Sequence, residues 1–341
     1  MKIALIAPIN KEDYLTNTVI DGLMDLHTES ADYICRISSS CNTYLPIKDW
    51  CLQDDAFIRF AGEADIIILC WGKNTTDYAL AEKIGRWDKT VFVDGSEVGL
   101  NRRFDLQIRD AIIGGTYSGL GAIEMNMLKK CALYFRREKP YIDGIIPFPF
   151  GIEKRYIPSE VAKQRDIDFT CIFGQDEYPT LRREVRTYLE QFCRKNGFTF
   201  RTKSTNGSRI ARMLHWVPRD GGRRSFYNIL SRTKVGISVG GGGFDTARFW
   251  EILGNGCFLM TENIDIFEKD SKVLDYRRVV QFKDLVEFKV RLSEVAASLR
   301  DEYDQSAAQD DYRNILKAHS SKARALVILE NARKKGIIKK L

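Results

Sequence analysis

The chain has 341 residues, of which 44% are hydrophobic and 29% are charged, and its formal net charge is +7. This composition excludes intrinsic disorder and collagen-like repeats, and the length favours two globular domains. No apolar run reaches the roughly 18–20 residues of a membrane span. The apolar start meets Lys11, Glu12 and Asp13 too early for a secretory signal.

The charge is unevenly distributed along the chain. Residues 1–150 carry a net charge of −4 and residues 151–341 a net charge of +11, of which +9 lies within 154–232. A basic half predicts contact with an anion, which could be the phosphates of a small ligand or a nucleic acid. Solvated helix faces rich in arginine are the alternative explanation.

Cysteines and histidines argue against metal and disulfide chemistry. The eight cysteines contain no C-x-x-C pair, and several lie in apolar stretches. We therefore expect free thiols and a reducing, cytoplasmic location. The three histidines lie far apart in sequence and lack metal-ligand spacing, so no bound metal is expected.

Short apolar strands alternate with helix-length segments in the first half of the chain. Lys2–Ala7 is predicted as a buried strand, followed by a helix that Asn17 or Thr18 caps. The further predicted strands are Asp32–Ile37, Ala64–Cys70, Thr90–Val93 and Cys131–Arg136, and the further helices are Leu52–Gly62 and Tyr78–Gly85. This alternation is typical of a parallel sheet covered by helices on both faces.

The pattern restarts after a break. Ile145–Ile152 contains two prolines and a glycine, which exclude a sustained helix or a central strand, so we place the domain junction there. The strands predicted beyond it are Ile167–Phe173, Phe198–Lys203, Lys234–Val239 and Cys257–Thr261, and the helices are Thr180–Asn196, Ser225–Ser231, Asp245–Leu253, Val286–Ser298 and Ala308–Lys335. The predicted domains are 1–147 and 148–318, with a C-terminal helix at 319–341 that can pack back on the first domain.

Four consecutive glycines, Gly240–Gly243, join a predicted strand to a predicted helix. Glycines let the main chain approach a ligand closely, and a helix N-terminus offers N–H groups to an anion. Ligands of open α/β sheets bind at the carboxyl ends of strands, where this loop must lie. On the helix, Arg248 can pair with a phosphate and Glu251 can accept hydrogen bonds from ribose hydroxyls. The spacing matches neither the dinucleotide fingerprint nor the P-loop, and a flexible structural loop is the alternative.

The stretch Phe244–Met260 resembles the C-terminal signature of group 1 glycosyltransferases, with Arg-x-x-Glu, then Gly-x-Gly, then a strand. It is most similar to the branch related to spore-maturation glycosyltransferases. Tyr134–Glu138, Ile167–Gly174 and His319–Arg324 also agree with that branch. The resemblance implies the GT-B fold, in which two Rossmann-like α/β domains face a cleft. It further implies that a nucleotide-diphosphate sugar, such as a UDP-sugar, binds the second domain without a metal, and that the acceptor binds the first.

The resemblance also implies roles for individual residues. Glu251 would bind the ribose of the donor, and the glycine loop would lie near its diphosphate. Many relatives carry another glutamate where this chain has Gly243; Asp245 either replaces that carboxylate in part or caps the helix. The donor-binding candidates are Gly174, Arg182, Arg224, Gly241, Gly242, Gly243, Phe244, Asp245, Thr246, Arg248 and Glu251.

The departing nucleoside diphosphate needs positive charge beside it, for which Arg248 has the best position and Arg182 the next. An inverting transfer also needs a base on the acceptor hydroxyl. Asp94 and Glu97 follow a predicted strand of the first domain and are the candidates, although Asp94-Gly95 is also an ordinary turn signal. No cofactor other than the donor substrate is expected.

The sequence therefore predicts a glycosyltransferase that moves a sugar from a nucleotide-diphosphate sugar to a hydroxyl of a glycan, a small molecule or a modified DNA base. Two other functions stay open. One is a nucleotide-sugar epimerase of the same fold. An epimerase needs several acids and histidines around the sugar, and the three histidines of this chain are scattered along the sequence. The other is a non-enzymatic protein that binds nucleic acid through its basic half.

Overall fold

The computed structural model describes residues 1–8, 12–39, 41–71, 73–97, 110–111, 113–116, 121–158, 165–173, 180–202, 226–267, 271–301 and 305–339. Within these residues the chain forms two parallel β-sheets, one of seven strands and one of five. Helices lie against both sheets, which confirms the predicted α/β class with two domains. No helix in the described part of the chain is long and apolar enough to cross a membrane.

The first domain contains the seven-stranded sheet, whose strand order is β3-β2-β1-β4-β5-β6-β7. Its strands are β1 (Lys2–Ile6), β2 (Ile34–Ser38), β3 (Cys51–Leu52), β4 (Ile66–Cys70), β5 (Thr90–Asp94), β6 (Leu133–Arg136) and β7 (Ile145–Pro147). Its helices are α1 (Tyr14–Glu29), α2 (Asp54–Gly62), α3 (Thr75–Ile84) and α4 (Met125–Lys130). Every residue of β4 is buried, as expected for a central parallel strand covered on both faces.

The second domain contains the five-stranded sheet, whose order is β12-β11-β10-β8-β9. Its strands are β8 (Ile167–Thr170), β9 (Phe200–Arg201), β10 (Thr233–Ser238), β11 (Phe258–Glu262) and β12 (Val279–Phe282). Its helices are α5 (Thr180–Asn196), α6 (Ala247–Gly254) and α7 (Leu285–Asp301), with a short helical segment at 226–231. β10 lies between β8 and β11, so the glycines that follow it emerge near the middle of the sheet edge.

One hydrophobic core joins the two domains. It includes Ile3 and Leu5 of β1, Phe148 and Ile152 of the junction, and Trp250 of α6. Separate cores fill the remaining face of each sheet, around Phe92 in the first domain and Phe288 in the second. The shared core fixes the carboxyl ends of the two sheets relative to each other.

The C-terminal region differs from the single long helix predicted over Ala308–Lys335. It forms α8 (Gln305–His319) and α9 (Ser321–Lys334), separated by Ser320, whose hydroxyl accepts a hydrogen bond from the amide of Ala323 at 3.2 Å. The domain junction passes beside this break, where the amide of Ile152 donates to the carbonyl oxygen of His319 at 2.8 Å. α9 then packs on α1, where a side chain at Gly22 would overlap the carbonyl oxygen of Ser321.

The start of α1 also differs from the prediction. Asp13 is the N-cap, and its carboxylate accepts a hydrogen bond from the amide of Thr16 at 2.8 Å. The predicted caps, Asn17 and Thr18, are buried one turn inside the helix. The helix therefore begins closer to β1, which brings Tyr14 to the carboxyl end of the first sheet.

Candidate functional site

A cavity of about 250 Å³ lies between the carboxyl ends of the two sheets. The first domain and the junction contribute Tyr14, Glu97 and Phe150 to its lining. The second domain contributes Phe173, Arg182, Gly241, Gly242, Gly243, Asp245, Thr246, Ala247, Arg248 and Glu251. The cavity therefore collects residues from six separate places in the chain, at the sheet edges where α/β proteins bind ligands.

Two carboxylates of the first domain reach the glycine loop. A Cβ at Gly242 would lie 2.5 Å from Glu97 Oε2, and a Cβ at Gly243 would overlap the carboxylate of Glu138. Glu138 is buried, whereas the side chain of Glu97 is 51% exposed. These two positions need glycine because side chains of the facing domain occupy the space that a methyl group would take.

Charged side chains of the second domain meet the other two glycines. The amide of Gly240 donates to Glu262 Oε2 at 2.9 Å. A Cβ at Gly241 would lie 2.6 Å from Arg182 Nη2. That guanidinium donates to the carbonyl oxygen of Val239 at 3.2 Å, so Arg182 is held against the loop.

The guanidinium of Arg137 lies near three carboxylates, those of Glu97, Glu138 and Asp245. Its Nη2 lies 2.8 Å from Glu97 Oε1 and 3.4 Å from Glu138 Oε1, and its Nε lies 3.8 Å from Asp245 Oδ2. Burial opposes its charge, but the three carboxylates together raise the pKa of Arg137, which keeps it protonated. Burial raises the pKa of Asp245 to about 6, although Arg137 opposes that shift. The ring of Phe150 lies 4.5 Å from the guanidinium.

Asp245 connects the helix α6 to the domain junction. Its carboxylate accepts hydrogen bonds from Trp250 Nε1 at 2.7 Å and from the amide of Phe150 at 2.8 Å. Its own amide donates to Glu138 Oε1 at 2.8 Å. The N-cap position of α6 is Thr246, so the interpretation of Asp245 as the helix cap is wrong.

Arg248 and Glu251 form a pair on α6, as their spacing predicts. Arg248 Nη1 lies 2.8 Å from Glu251 Oε2, and the Arg248 guanidinium stacks 3.6 Å from the ring centroid of Phe226. The hydroxyl of Tyr227 donates to Glu251 Oε1 at 3.1 Å. Both side chains are therefore held in one geometry at the cavity wall, where they can contact a polar ligand.

Asp94, the other candidate base, does not reach the cavity. It is fully buried, and its carboxylate contacts Arg136 Nη1 at 2.5 Å, Tyr134 Oη at 2.6 Å and Lys73 Nζ at 3.3 Å. The amide of Ser96 also donates to it at 3.0 Å. Burial alone would raise the pKa of Asp94, but Arg136 and Lys73 lower it below its usual value. The prediction that Asp94 activates an acceptor is therefore wrong, because both of its oxygens serve this buried network.

The remaining predicted site residues have different positions. Phe244 lines a second cavity of about 650 Å³, together with Glu262 and Asp265. Gly174 and Arg224 lie outside the described residues. Within the described part of the chain, no group of three or more His, Cys, Asp or Glu side chains is arranged to hold a metal ion.

Among the site residues that the sequence reasoning missed are Arg137, Glu138 and Tyr227. Arg137 and Glu138 directly follow β6, and polar side chains at the end of a parallel strand are a signal that could have identified them. Tyr227 gives no comparable signal, since only the fold brings its short helical segment beside α6.

Comparison with known proteins shows the fold. No family model and no curated protein matches the sequence. The structure is similar to that of HepE from Anabaena in complex with UDP, with a TM-score of 0.56, 10% identity and coverage of 98% of this chain and 100% of that one. It is also similar to a glycosyltransferase from Rickettsia africae, with a TM-score of 0.54, 8% identity and 98% coverage of both chains.

A third similar structure is a UDP-GlcNAc 2-epimerase from Neisseria meningitidis bound to UDP-GlcNAc. Its TM-score is 0.51 at 9% identity, and the match covers 98% of this chain and all of that one. The two facing α/β domains and these full-length matches give the chain the GT-B fold, which confirms the fold expected from the resemblance.

Proposed function

We propose that this protein is a glycosyltransferase that uses a UDP-sugar and transfers the sugar to an acceptor hydroxyl. The observation that carries the proposal is the Arg248–Glu251 pair beside the glycine loop, in a cleft that both domains line. In this assignment 1–147 is the acceptor side and 148–318 is the donor side, and α9, within the predicted C-terminal helix, packs against α1. The fold neighbours with bound UDP or UDP-GlcNAc make UDP the first nucleotide to test.

The donor's charged and polar groups have matching partners in the cavity. Arg182, held at Gly241, and Arg248, stacked on Phe226, offer guanidinium groups to the diphosphate. Glu251 is an acceptor for ribose hydroxyls, and Tyr227 orients its carboxylate. When the bond from the anomeric carbon to the diphosphate oxygen breaks, these two arginines stabilise the charge that develops on the leaving group.

Glu97 is the candidate base on the acceptor side. It lines the cavity, and half of its side chain is exposed, so an acceptor hydroxyl can approach it. Arg137 fixes one of its oxygens at 2.8 Å and leaves Oε2 directed at Gly242. Proton transfer from the acceptor to this carboxylate would accompany attack of the acceptor oxygen on the anomeric carbon.

An epimerase is the second candidate, because a UDP-GlcNAc 2-epimerase shares the fold over its full length. Among the described residues no histidine lines the cavity: His27 binds the carbonyl oxygen of Tyr33, and His319 lies in the core beside Arg324. Epimerisation needs groups that donate and remove protons at the sugar ring, and of the lining carboxylates Asp245 and Glu251 already accept hydrogen bonds from Trp250 and Tyr227. We therefore favour transfer.

A thermal-shift panel of nucleoside diphosphates tests the proposal. UDP is expected to raise the melting temperature, with a stabilisation of about 2.7 kcal/mol at a concentration one hundred times its Kd. The Glu251→Ala and Arg248→Ala variants should each bind UDP at least about tenfold more weakly, because each loses a charged hydrogen bond. A matched control is Glu287→Ala or Arg291→Ala, which breaks a pair of the same type on the exposed face of α7.

Product analysis separates the two enzyme classes. A transferase releases UDP when an acceptor is added, whereas an epimerase returns a UDP-sugar with one inverted ring carbon and the same concentration of nucleotide sugar. If no nucleoside diphosphate shifts the melting temperature, both the glycosyltransferase and the epimerase assignments are wrong.

A further inference from the structure

The glycine loop begins at Gly240, whose amide donates to the carboxylate of Glu262 at 2.9 Å, and the side chains that meet its next three glycines change in charge. At Gly241 the nearest side chain is the guanidinium of Arg182, which also stacks 5.0 Å from the ring centroid of Phe173. At Gly242 and Gly243 the nearest side chains are the carboxylates of Glu97 and Glu138. One glycine run thus passes from a cation to two anions within three residues.

The surroundings strengthen this polarity. On the Arg182 side the cavity is lined by Arg248 and its partner Glu251, so two guanidinium groups face one carboxylate. On the other side, among the described residues, three carboxylates lie 2.8, 3.4 and 3.8 Å from the guanidinium of Arg137. They belong to Glu97, Glu138 and Asp245.

The two ends suit different chemical groups. A diphosphate is stabilised beside guanidinium groups and destabilised beside carboxylates, so it belongs at the Arg182 end. Carboxylate oxygens accept hydrogen bonds from hydroxyl groups, and they repel another carboxylate at close range. The Glu97 end therefore suits an uncharged polyhydroxyl group.

Glu97 is in a position to act directly on such a group. It lines the cavity and is half exposed, whereas Glu138 is buried and holds the amide of Asp245. Glu97 is thus the side chain that a ligand touches, and Glu138 contributes charge from behind the loop.

We propose that the group attached to the diphosphate is a neutral sugar, and that Glu97, supported by Glu138, excludes sugars that carry a carboxylate. This inference rests on the proposed use of a UDP-sugar. It assigns the donor by class: hexoses and N-acetylhexosamines are accepted, and uronic acids are rejected.

Titration calorimetry with UDP, UDP-glucose, UDP-GlcNAc and UDP-glucuronate tests the assignment. The neutral UDP-sugars should bind at least as tightly as UDP, and UDP-glucuronate should bind at least tenfold more weakly than UDP-glucose. The Glu97→Gln variant keeps the shape of the side chain and removes its charge, so this ratio should fall several-fold. Glu63→Gln, on the exposed surface beside Lys2, is the matched control and should leave the ratio unchanged.

The buried Glu138→Gln variant provides a second measurement. Both ligands are titrated into one preparation, so their affinity ratio does not depend on the fraction of folded protein. The ratio of the affinities for UDP-glucose and UDP-glucuronate should again move toward one.

Three results would overturn the inference. If UDP binds and UDP-glucuronate binds as tightly as UDP-glucose, the neutral-sugar assignment fails while the proposed function stands. If the ratio is tenfold but neither Glu97→Gln nor Glu138→Gln changes it, the assigned residues are wrong. If UDP itself does not bind, the proposed function fails, and this inference fails with it.

Discussion

Two acid–arginine pairs lie side by side where β5 and β6 end, and only one of them reaches the cleft. Asp94 pairs with Arg136 at 2.5 Å in complete burial. Glu97 pairs with Arg137 at 2.8 Å, with half of its side chain exposed. The two arginines are consecutive in sequence, and consecutive side chains of an extended segment point to opposite sides. Proximity to a strand end therefore did not distinguish the pairs; the direction of each side chain did.

Each pair belongs to a network: the buried network contains Asp94, Arg136 and Lys73, and the cleft network contains Arg137, Glu97, Glu138 and Asp245. The two networks differ in how burial affects the pKa of their carboxylates. For Asp94, Arg136 and Lys73 outweigh burial and lower its pKa. For Asp245, which shares Arg137 with two other carboxylates, burial prevails and raises its pKa to about 6. Among the described residues, the carboxylate of Asp94 meets two cations, whereas three carboxylates meet the guanidinium of Arg137 at the cleft.

The largest expected effect comes from breaking the buried network. Arg136→Ala leaves the carboxylate of Asp94 buried without its closest cation and should destabilise the protein by about 3–5 kcal/mol. Urea denaturation measures this difference. Lys2→Ala, which removes an exposed pair with Glu63, is the control and should leave the free energy of unfolding almost unchanged. A loss below 1 kcal/mol in Arg136→Ala would contradict a structural role for this pair.

The pH dependence of stability should have opposite signs in the two networks. The raised pKa of Asp245 means that its contribution is fully present below about 3.8 and is lost as the pH rises through about 6. Relative to wild type, Asp245→Asn should therefore gain stability by about 3 kcal/mol between pH 4 and 7. Asp94 has a lowered pKa, so its contribution is present above 3.8 and is lost as the pH falls further.

Urea unfolding of Asp245→Asn and wild type at intervals from pH 4 to 7 measures this difference. Other buried acids, such as Glu153, titrate equally in both proteins and cancel in the comparison. Parallel stability curves for the two proteins would show that Asp245 keeps an ordinary pKa.

Gly243→Ala tests the contact between the cleft network and the glycine loop. The added methyl group would overlap the buried carboxylate of Glu138, so we expect a loss of about 1–3 kcal/mol, as for other overpacked sites. UDP affinity should fall as well, since the loop must move. Gly62→Ala is the control, because nothing lies within 4 Å of its Cβ position. Equal stability of the two variants would mean that Glu138 moves aside at little cost.

The sequence predicted those parts of the fold that depend on local patterns. The helix α5 has the bounds expected for it, Thr180–Asn196, since its apolar spacing and the following Gly197 define both. Most other predicted strands and helices occur with their ends shifted by up to three residues. Within Phe198–Lys203 only the two residues of β9 form a described strand, and β3, β7, β12 and α4 were not predicted. The break at Ser320 escaped prediction because its cause, the crossing of Ile152, lies far away in sequence.

The site divides in the same way. The spacing of Arg248 and Glu251 predicted their pairing on one helix, and the glycine run predicted a close approach of the main chain. The side chains that approach the loop are the carboxylates of Glu97 and Glu138. Their position depends on how the two domains face each other. No local pattern contains that information, so the sequence predicts no site role for Glu138, although Tyr134–Glu138 carries part of the family resemblance.

The smallest expected effect on stability belongs to Glu97→Gln, and it is the sharpest test of the difference between the two networks. Glu97 is half exposed, so solvent screens its pair with Arg137. Arg137 also keeps Glu138 and Asp245 as partners. We therefore expect a change of about 0–1 kcal/mol in the free energy of unfolding, alongside the altered ligand selectivity. A loss as large as that of Arg136→Ala would mean that both pairs support the fold, and it would contradict a role for Glu97 as the first-domain carboxylate that acts on a ligand.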